Sequence, residues 1–284
     1  MKKVLYLFFF LYCIEFSSFA QVPAEFIEKN AVEIKNRKEA NDSIYKVLKD
    51  YKAILIGEMH GTKEPAEFFL GIVKSLMKNG KKVVVGLEIP VDGIDFTKDF
   101  TVEDLKKAPA FYSTSPDGRQ CIAWAEMLVE LKKMNAEILC FDLSMEYKGD
   151  KRLERDSVMA STINDYLKKD TSKTFVSLTG NISNMLIPYK KIKTMVCYLT
   201  SGNNSCLKGR KILSVNCLYG KGTMYNWMNN GYKLREADSN APYYEYATSY
   251  DNFLFAFPDA SMPGYNGFLF SKTITASGPL VETK

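Results

Sequence analysis

Apolar and polar residues follow one another along the chain in two periods, one typical of buried strands and one typical of amphipathic helices. Short continuous apolar runs predict four strands, at 53–56, 83–87, 138–141 and 174–178. Between them, apolar residues recur three and four positions apart, which predicts helices over about 65–77, 120–134 and 151–168. Buried strands separated by helices are typical of a parallel sheet covered on both faces. We therefore expect an α/β fold with a mainly parallel central sheet, helices on both faces, three layers and a single domain.

The start of the chain has the pattern of a secretory signal peptide. Two lysines precede an almost wholly apolar stretch, residues 4–14, and small residues stand before position 21. An uncleaved anchor is the alternative, but Glu15 leaves the apolar stretch too short to span a bilayer comfortably. We expect a signal peptide at 1–20 and a mature domain at 21–284 with no transmembrane segment. The location would be periplasmic, outer-membrane-associated or extracellular.

Charge and cysteine content refine this picture only slightly. The formal net charge is +5, with no basic block that would predict nucleic-acid binding, so we expect a small-molecule or peptide ligand. An exported chain meets an oxidising compartment. Cys197 and Cys206 flank a turn-rich stretch, and we expect them to lie near enough to form a disulfide.

The strongest chemical signal comes directly after the first predicted strand. The run Gly57-Glu58-Met59-His60-Gly61-Thr62 contains the only histidine of the chain, His60. An imidazole can move protons or bind a metal near neutral pH, and a neighbouring carboxylate can orient it or share a ligand with it. A well-packed histidine in a turn is the alternative interpretation. We predict a site in which Glu58 and His60 act together, and both are tentative metal ligands.

Polar residues also follow the other predicted strands. Glu88 and Asp142 stand at the ends of the second and third strands, and Asn181 follows the fourth. The carboxyl ends of parallel strands form one rim, where α/β sheets bind their ligands. We therefore expect these side chains to converge with Glu58 and His60. The alternative is a set of solvated turn residues.

Two arginines are further candidates for the pocket. Arg119 precedes a predicted helix and could bind a carboxylate or phosphate, although an exposed arginine at a helix start is the commoner case. Arg155 and Asp156 could form an ion pair that holds their helix against the rim.

The motif around His60 resembles the signature of the erythromycin esterase, ChaN and Tiki superfamily, whose members place Gly-Glu-x-His after the first strand and a second Glu after the next. Three further segments are similar to family motifs, and they are Val85-Gly86-Leu87-Glu88, Arg155-Asp156-Ser157-Val158-Met159-Ala160 and Thr273-Ile274-Thr275-Ala276-Ser277-Gly278-Pro279. The resemblance implies an α/β domain with one acidic, histidine-containing pocket. Members use this pocket for ester hydrolysis, metal-dependent proteolysis or haem binding.

One position departs from the family pattern. Hydrolytic members typically have a second histidine in a Gly-Asn-x-His segment, whereas this chain has Gly180-Asn181-Ile182-Ser183. Serine is a poor general base and a poor metal ligand.

Two hypotheses follow. The first is a hydrolase of an ester, amide or peptide bond with His60, Glu58 and Glu88 as catalytic residues, with or without a divalent metal. The second is a non-catalytic protein on the same fold that binds haem or another apolar ligand.

Overall fold

The computed structural model describes residues 22–111, 117–202, 205–228, 231–240, 248–256 and 264–281. The predicted signal peptide at 1–20 lies outside these ranges. None of the helices within them combines the length and the apolarity that a membrane crossing requires.

Helices and strands alternate through the first two thirds of the described chain, and strands dominate the last third. The α-helices are α1 Ala24–Asn30, α2 Asp42–Leu48, α3 Glu64–Lys78, α4 Val102–Leu105, α5 Ile122–Lys133, α6 Lys151–Leu167 and α7 Met195–Ser201. The strands are β1 Val32–Glu33, β2 Ala53–Glu58, β3 Val83–Pro90, β4 Glu137–Asp142, β5 Thr174–Gly180, β6 Ile212–Met228, β7 Gly231–Ala237, β8 Asn252–Ala256 and β9 Gly267–Ile274. Two short 3-10 helices lie at Pro109–Phe111 and Ile182–Asn184. All four predicted strands and all three predicted helices are present.

The described strands form one sheet in the order β1-β8-β9-β6-β2-β5-β3-β4, with β7 paired to β6. The pairs β2–β5, β2–β6, β3–β4 and β3–β5 are parallel, as is the pair β6–β9. The prediction of a mainly parallel α/β sheet is therefore confirmed. Antiparallel pairs also occur, between β1 and β8, β8 and β9, and β6 and β7.

Helices cover both faces because the central strands are apolar on both. In β2, Ile54 and Ile56 pack in the core beneath α3 and α5, whereas Leu55 packs in a second core beneath α6 and α7. Successive side chains of a strand point to opposite faces, so a continuous apolar run supplies both cores. The result is the expected three-layer arrangement.

Residues 275–277 form hydrogen bonds both to the turn that follows β2 and to the helices α3 and α5. The amide of Ser277 donates to the carbonyl of Gly61 at 3.0 Å, and the Ser277 hydroxyl accepts from the amide of Ala123 at 2.9 Å. Glu64, at the start of α3, accepts from the amide of Thr275 at 3.0 Å. These contacts join three distant parts of the chain around the end of β2.

The predicted disulfide is wrong. Cys197 and Cys206 are free thiols, and no disulfide joins any cysteine of the described ranges. Cys197 is buried within α7, whose first turn is capped by Thr194. The amide of Cys206 is held by Asn164 of α6 at 2.8 Å. Cys197 is thus held by its packing in α7 and Cys206 by its bond to Asn164, and the two thiols are not joined.

Candidate functional site

The turn after β2 brings His60 to the rim of the sheet. It is possible only with glycine at position 61, where φ is +91° and a Cβ atom would lie 1.5 Å from the carbonyl oxygen of Tyr225. Gly118 packs against the same turn, and a Cβ there would lie 2.8 Å from the Cβ of His60. Close backbone approach therefore fixes His60 from two sides, while 21% of its side chain stays exposed.

Glu58 orients the imidazole. Its Oε1 atom lies 2.8 Å from His60 Nδ1 and also accepts a hydrogen bond from Trp124 Nε1 at 3.0 Å. The other carboxylate oxygen, Oε2, is buried without a hydrogen-bond partner in the described residues. A carboxylate at Nδ1 selects the imidazole tautomer that has its proton there. The arrangement leaves the lone pair of neutral His60 on Nε2.

Burial and mutual attraction act together on the titration of this pair. Burial raises the pKa of the Glu58 carboxyl above its usual value, and attraction to His60 only partly opposes this. Burial by itself would lower the pKa of His60, but the Glu58 carboxylate outweighs it, so the pKa of His60 is raised. His60 therefore holds a proton more strongly than a free histidine does.

A second group of charges lies on the neighbouring strands. Glu88 of β3 pairs through Oε1 with Arg155 and, at 3.0 Å, with Nη1 of Arg119. Asp142, the last residue of β4, receives Nε of Arg155 at 2.8 Å and Nη1 of Arg119 at 3.1 Å. Two carboxylates and two guanidinium groups thus alternate, and Asp117 completes the group by accepting from Arg119 Nε at 2.9 Å.

The arginines keep these carboxylates ionised. Burial opposes charge on Glu88, but Arg119 and Arg155 outweigh it and lower its pKa. Burial likewise opposes charge on Asp142, and its bonds to Arg155 reverse the effect and lower its pKa. For Asp117 the hydrogen bonds and charge of Arg119 overcome burial and bring the pKa to about 2.

Gly180, the last residue of β5, joins the two groups. Its amide donates to Oε2 of Glu88. A Cβ at this position would lie 3.5 Å from Nε2 of His60 and 3.6 Å from Oε2 of Glu88. The free side of the imidazole and an ionised carboxylate therefore face the same small space beside Gly180.

A cleft of about 390 Å³ opens beside the charged group. Its charged lining residues include Glu88, Asp117, Arg119, Asp142 and Arg155. Its apolar lining residues include Ile89, Pro90, Pro109, Ala110, Phe111 and Leu143. His60 does not line this cleft, so Glu88 is the side chain that both lines the cleft and faces the imidazole.

The other two predicted pocket residues, Asn181 and Ser183, make structural hydrogen bonds. Asn181 contributes through its backbone, with its amide bonded to the carbonyl of Glu58 at 3.1 Å and its carbonyl accepting from the hydroxyl of Tyr265 at 2.8 Å. Ser183 is buried and donates to Asp156 of α6 at 2.8 Å. Serine at the position of the expected second histidine therefore links the 3-10 helix to α6. The expected pair of Arg155 with Asp156 is replaced by bonds from Arg155 to Asp142 and Glu88.

Three residues of the site escaped the sequence analysis, and they are Asp117, Trp124 and Gly180. Asp117 lies outside every predicted helix and strand, and its Asp-Gly pair indicates only a turn. Trp124 lies in an apolar helix, where a buried indole N–H usually has a partner that the sequence does not identify. Gly180 has no side chain, so its role becomes visible only in three dimensions.

The donor atoms of the site suit neither a metal ion nor haem. In the described ranges, no three side chains of His, Cys, Asp or Glu come together in a way that could hold a metal ion. An axial haem ligand needs an apolar slot beside its free nitrogen, but Nε2 of His60 faces Gly180 and Glu88. The residues present fit neither group well.

No protein-family model and no curated protein sequence matches the chain significantly. Solved structures do match its fold. A succinoglycan biosynthesis protein superposes with a TM-score of 0.67 at 10% identity, over 89% of this chain and 97% of its own. A Bacillus cereus protein gives 0.61 at 11% identity, over 91% and 98% of the two chains.

A mutant of the erythromycin esterase EreC, in an open conformation, gives a TM-score of 0.58 at 8% identity, over 85% of this chain and 95% of its own. At such low sequence identity the structural similarity concerns the fold alone, because one fold can carry many different activities. The chain has an erythromycin esterase-like α/β fold, which confirms the fold that the resemblance of its motifs implies.

Proposed function

We propose that the protein is a hydrolase in which His60 is the general base that activates water for attack on an ester, amide or peptide bond. One observation carries this proposal: Glu58 holds Nδ1 of His60 at 2.8 Å, while Nε2 faces Gly180 and the carboxylate of Glu88. A base oriented by a buried carboxylate at one nitrogen, with its lone pair on the other nitrogen, is the arrangement used for proton abstraction.

Each member of the pair has a separate role in this mechanism. Neutral His60 takes a proton from water at Nε2 as the water oxygen bonds to the carbonyl carbon, and Glu58 stabilises the imidazolium at Nδ1. The imidazolium then returns this proton to the leaving oxygen or nitrogen as the scissile bond breaks. The hydrogen bond from Trp124 keeps Oε1 of Glu58 turned toward the ring. Arg119 and Arg155 keep Glu88 ionised. The Glu88 carboxylate accepts a hydrogen bond from the second O–H of the same water, so the lone pair of the water oxygen points away from Glu88.

The cleft would bind the substrate. Arg155 uses Nε and Nη2 to hold Asp142 and Glu88, and its Nη1 makes no hydrogen bond within the described residues. Nη1 can therefore donate to the oxygen that becomes negative as water attacks. The apolar lining residues, among them Ile89 and Phe111, would hold a nonpolar part of the substrate. We accordingly propose a substrate with an apolar group next to the scissile bond.

Haem binding, the alternative from the sequence, receives less support. The free nitrogen of His60 faces a carboxylate, and the lining of the adjacent cleft includes charged side chains. An ionised carboxylate beside the iron-binding nitrogen would lose solvation when a large apolar ring displaced water. The geometry therefore favours the hydrolase.

We also propose that the chain is exported, on the strength of the signal-like pattern at 1–20. Fractionation of cells that express the full chain tests this. A mass that corresponds to cleavage near residue 20, found outside the cytoplasm, is the expected result. An uncleaved cytoplasmic protein would contradict it.

The function is tested by turnover of a panel of esters, amides and peptides with an apolar group beside the scissile bond. His60→Gln should reduce kcat/KM by roughly 10²- to 10⁴-fold, the usual contribution of a general base. The mutant should still unfold cooperatively, because position 60 lies in a turn outside both cores. Ser183→Ala is the matched control, since Ser183 bonds to Asp156 and not to His60.

The control should keep near-normal turnover and lose about 1.5–3 kcal/mol of stability with its hydrogen bond to the Asp156 carboxylate. A folded wild-type protein that hydrolyses no member of the panel would contradict the proposal. So would a His60→Gln protein as active as the wild type.

A further inference from the structure

A short hairpin between the second 3-10 helix and α7 projects from the fold. Its sequence is Ile187-Pro188-Tyr189-Lys190-Lys191-Ile192-Lys193, and all seven residues are exposed. Tyr189 and Ile192 exchange two backbone hydrogen bonds of 2.9 Å. At the base, the hydroxyl of Thr194 donates to the carbonyl of Met185 at 2.6 Å. The hairpin is therefore closed by its own bonds and needs no other segment to hold its shape.

The two tip residues are chemically unexpected. Lys190 and Lys191 have φ values of 47° and 69°, in the left-handed region. Two-residue turns of this kind favour Asn and Gly, because a side chain with a Cβ is strained there. The backbone conformation therefore does not explain why lysine occupies both positions. A role for the two charges would account for their presence.

Apolar side chains accompany the charges. Ile187 is 43% exposed, Tyr189 37% and Ile192 43%. Lys190 lies over the ring of Tyr189 at 5.2 Å, and no ion pair involves a lysine of the hairpin within the described ranges. The hairpin thus presents three cations that lack anionic partners in the described chain, next to three apolar side chains.

The surrounding sequence strengthens the positive charge. Between Asp170 and Glu236 the chain has ten Lys or Arg residues and not one Asp or Glu. The modest net charge of the whole chain conceals this local excess. No acidic neighbour in sequence therefore weakens the attraction of the hairpin for an anionic surface.

We propose that the hairpin 187–193 docks the protein on membrane surfaces that contain anionic phospholipid. Lysines near such a surface are attracted to its phosphates, while exposed Ile and Tyr side chains enter the boundary between headgroups and acyl chains. A nucleic acid or an acidic protein would satisfy the lysines and leave Ile187 and Ile192 without a role. This proposal does not depend on the hydrolytic reaction.

Vesicle flotation of the full chain tests the proposal with phosphatidylcholine vesicles and with vesicles in which phosphatidylglycerol replaces part of that lipid. Changing Lys190, Lys191 and Lys193 to Gln should weaken binding to the anionic vesicles on the order of 100-fold, from about fivefold per lysine. The control changes Lys29, Lys46 and Lys49 to Gln, which removes the same charge from exposed positions elsewhere. It should retain most of the binding.

The apolar residues 4–14 can also bind vesicles, so a second measurement reports the hairpin alone. In Tyr189→Trp, the added fluorescence should be quenched by brominated acyl chains in anionic vesicles, relative to the parent protein. Combining this change with Ile187→Ser and Ile192→Ser should remove the quenching.

Three results would overturn the proposal. The first is an absence of quenching of Trp at position 189. The second is an equal loss of binding in the control triple variant. The third is binding to heparin that competes fully with vesicles and is unaffected by Ile187→Ser and Ile192→Ser, since this would identify a site for soluble polyanions.

Discussion

Trp124 donates its indole N–H to the same oxygen of Glu58 that contacts His60, at 3.0 Å and 2.8 Å respectively. The three side chains come from α5, the end of β2 and the turn beyond it. Trp124 and Glu58 are each about 1% exposed, whereas His60 reaches solvent. The buried indole of a helix thus controls the orientation of a base at the rim of the sheet.

Removing this donor should alter the titration of His60 as well as stability. In Trp124→Phe the ring is largely retained, but the Glu58 carboxylate loses a hydrogen bond and becomes more basic. The acid limb of the kcat/KM profile should therefore move to higher pH. Stability should fall by about 1.5–3 kcal/mol, as for other bonds to charged groups. An unchanged acid limb would show that Trp124 acts only through packing.

The pH dependence of turnover should show that the active form of His60 is neutral. The pKa of His60 is raised above 6.5 by Glu58 despite burial. A base must lack its proton, so kcat/KM should rise with pH and level off only above that raised value. Measurement of kcat/KM across the neutral range checks this. A plateau that is already complete below pH 6.5 would contradict the proposed role.

Gly180→Ala should reduce turnover and leave the fold intact. The new methyl group would lie 3.5 Å from His60 Nε2 and 3.6 Å from Glu88 Oε2, which are ordinary contacts, so the fold should persist. The methyl group would take the place proposed for water, and kcat should fall by roughly 10²-fold or more. Turnover and thermal unfolding measured on the same sample provide the comparison.

Gly202→Ala is the matched control. Its Cβ would lie 3.6 Å from the nearest atom outside its chain neighbours, at the end of α7 and away from His60. Turnover should be unaffected. If both alanine variants retain full activity, the space beside Gly180 has no catalytic role.

Acid should destabilise the protein through the charged group at the cleft. The pKa values of Glu88 and Asp142 lie below their ordinary values of 4.5 and 3.8, and that of Asp117 falls from 3.8 to about 2. Groups with lowered folded pKa values stabilise the fold above their unfolded pKa and lose this effect as they are protonated. The free energy of unfolding should therefore fall between about pH 5 and pH 2.

Denaturant titrations at several pH values measure this slope. In Asp117→Asn one of the contributing carboxylates is gone, so the slope should be shallower. His60 contributes to the pH dependence of stability in the opposite sense. Its pKa is raised in the folded protein, so its contribution to the free energy of unfolding is lost as the pH rises through that pKa. A slope in Asp117→Asn as steep as in the wild type would contradict the role of the Asp117–Arg119 pair.

Local patterns in the sequence were enough for the central part of the fold. The apolar runs at β2 to β5 and the helical periodicity between them depend on neighbouring residues only, and β–helix–β connections force parallel strands. For the same reason Glu58, Glu88 and Asp142 could be placed on one rim in advance. The pairing of strands β6 to β9 could not be predicted, because it joins segments whose order in the sheet no local period encodes.

The sequence by itself thus determined a buried parallel sheet and a rim that carries Glu58, His60, Glu88 and Asp142. Only the tertiary structure decided how these groups are partnered. Trp124 reaches Glu58, and Gly180 lies between His60 and Glu88. Such contacts unite residues far apart in the chain, and they depend on how helices pack on the sheet. Packing geometry is a property of the whole fold, so no stretch of sequence contains it.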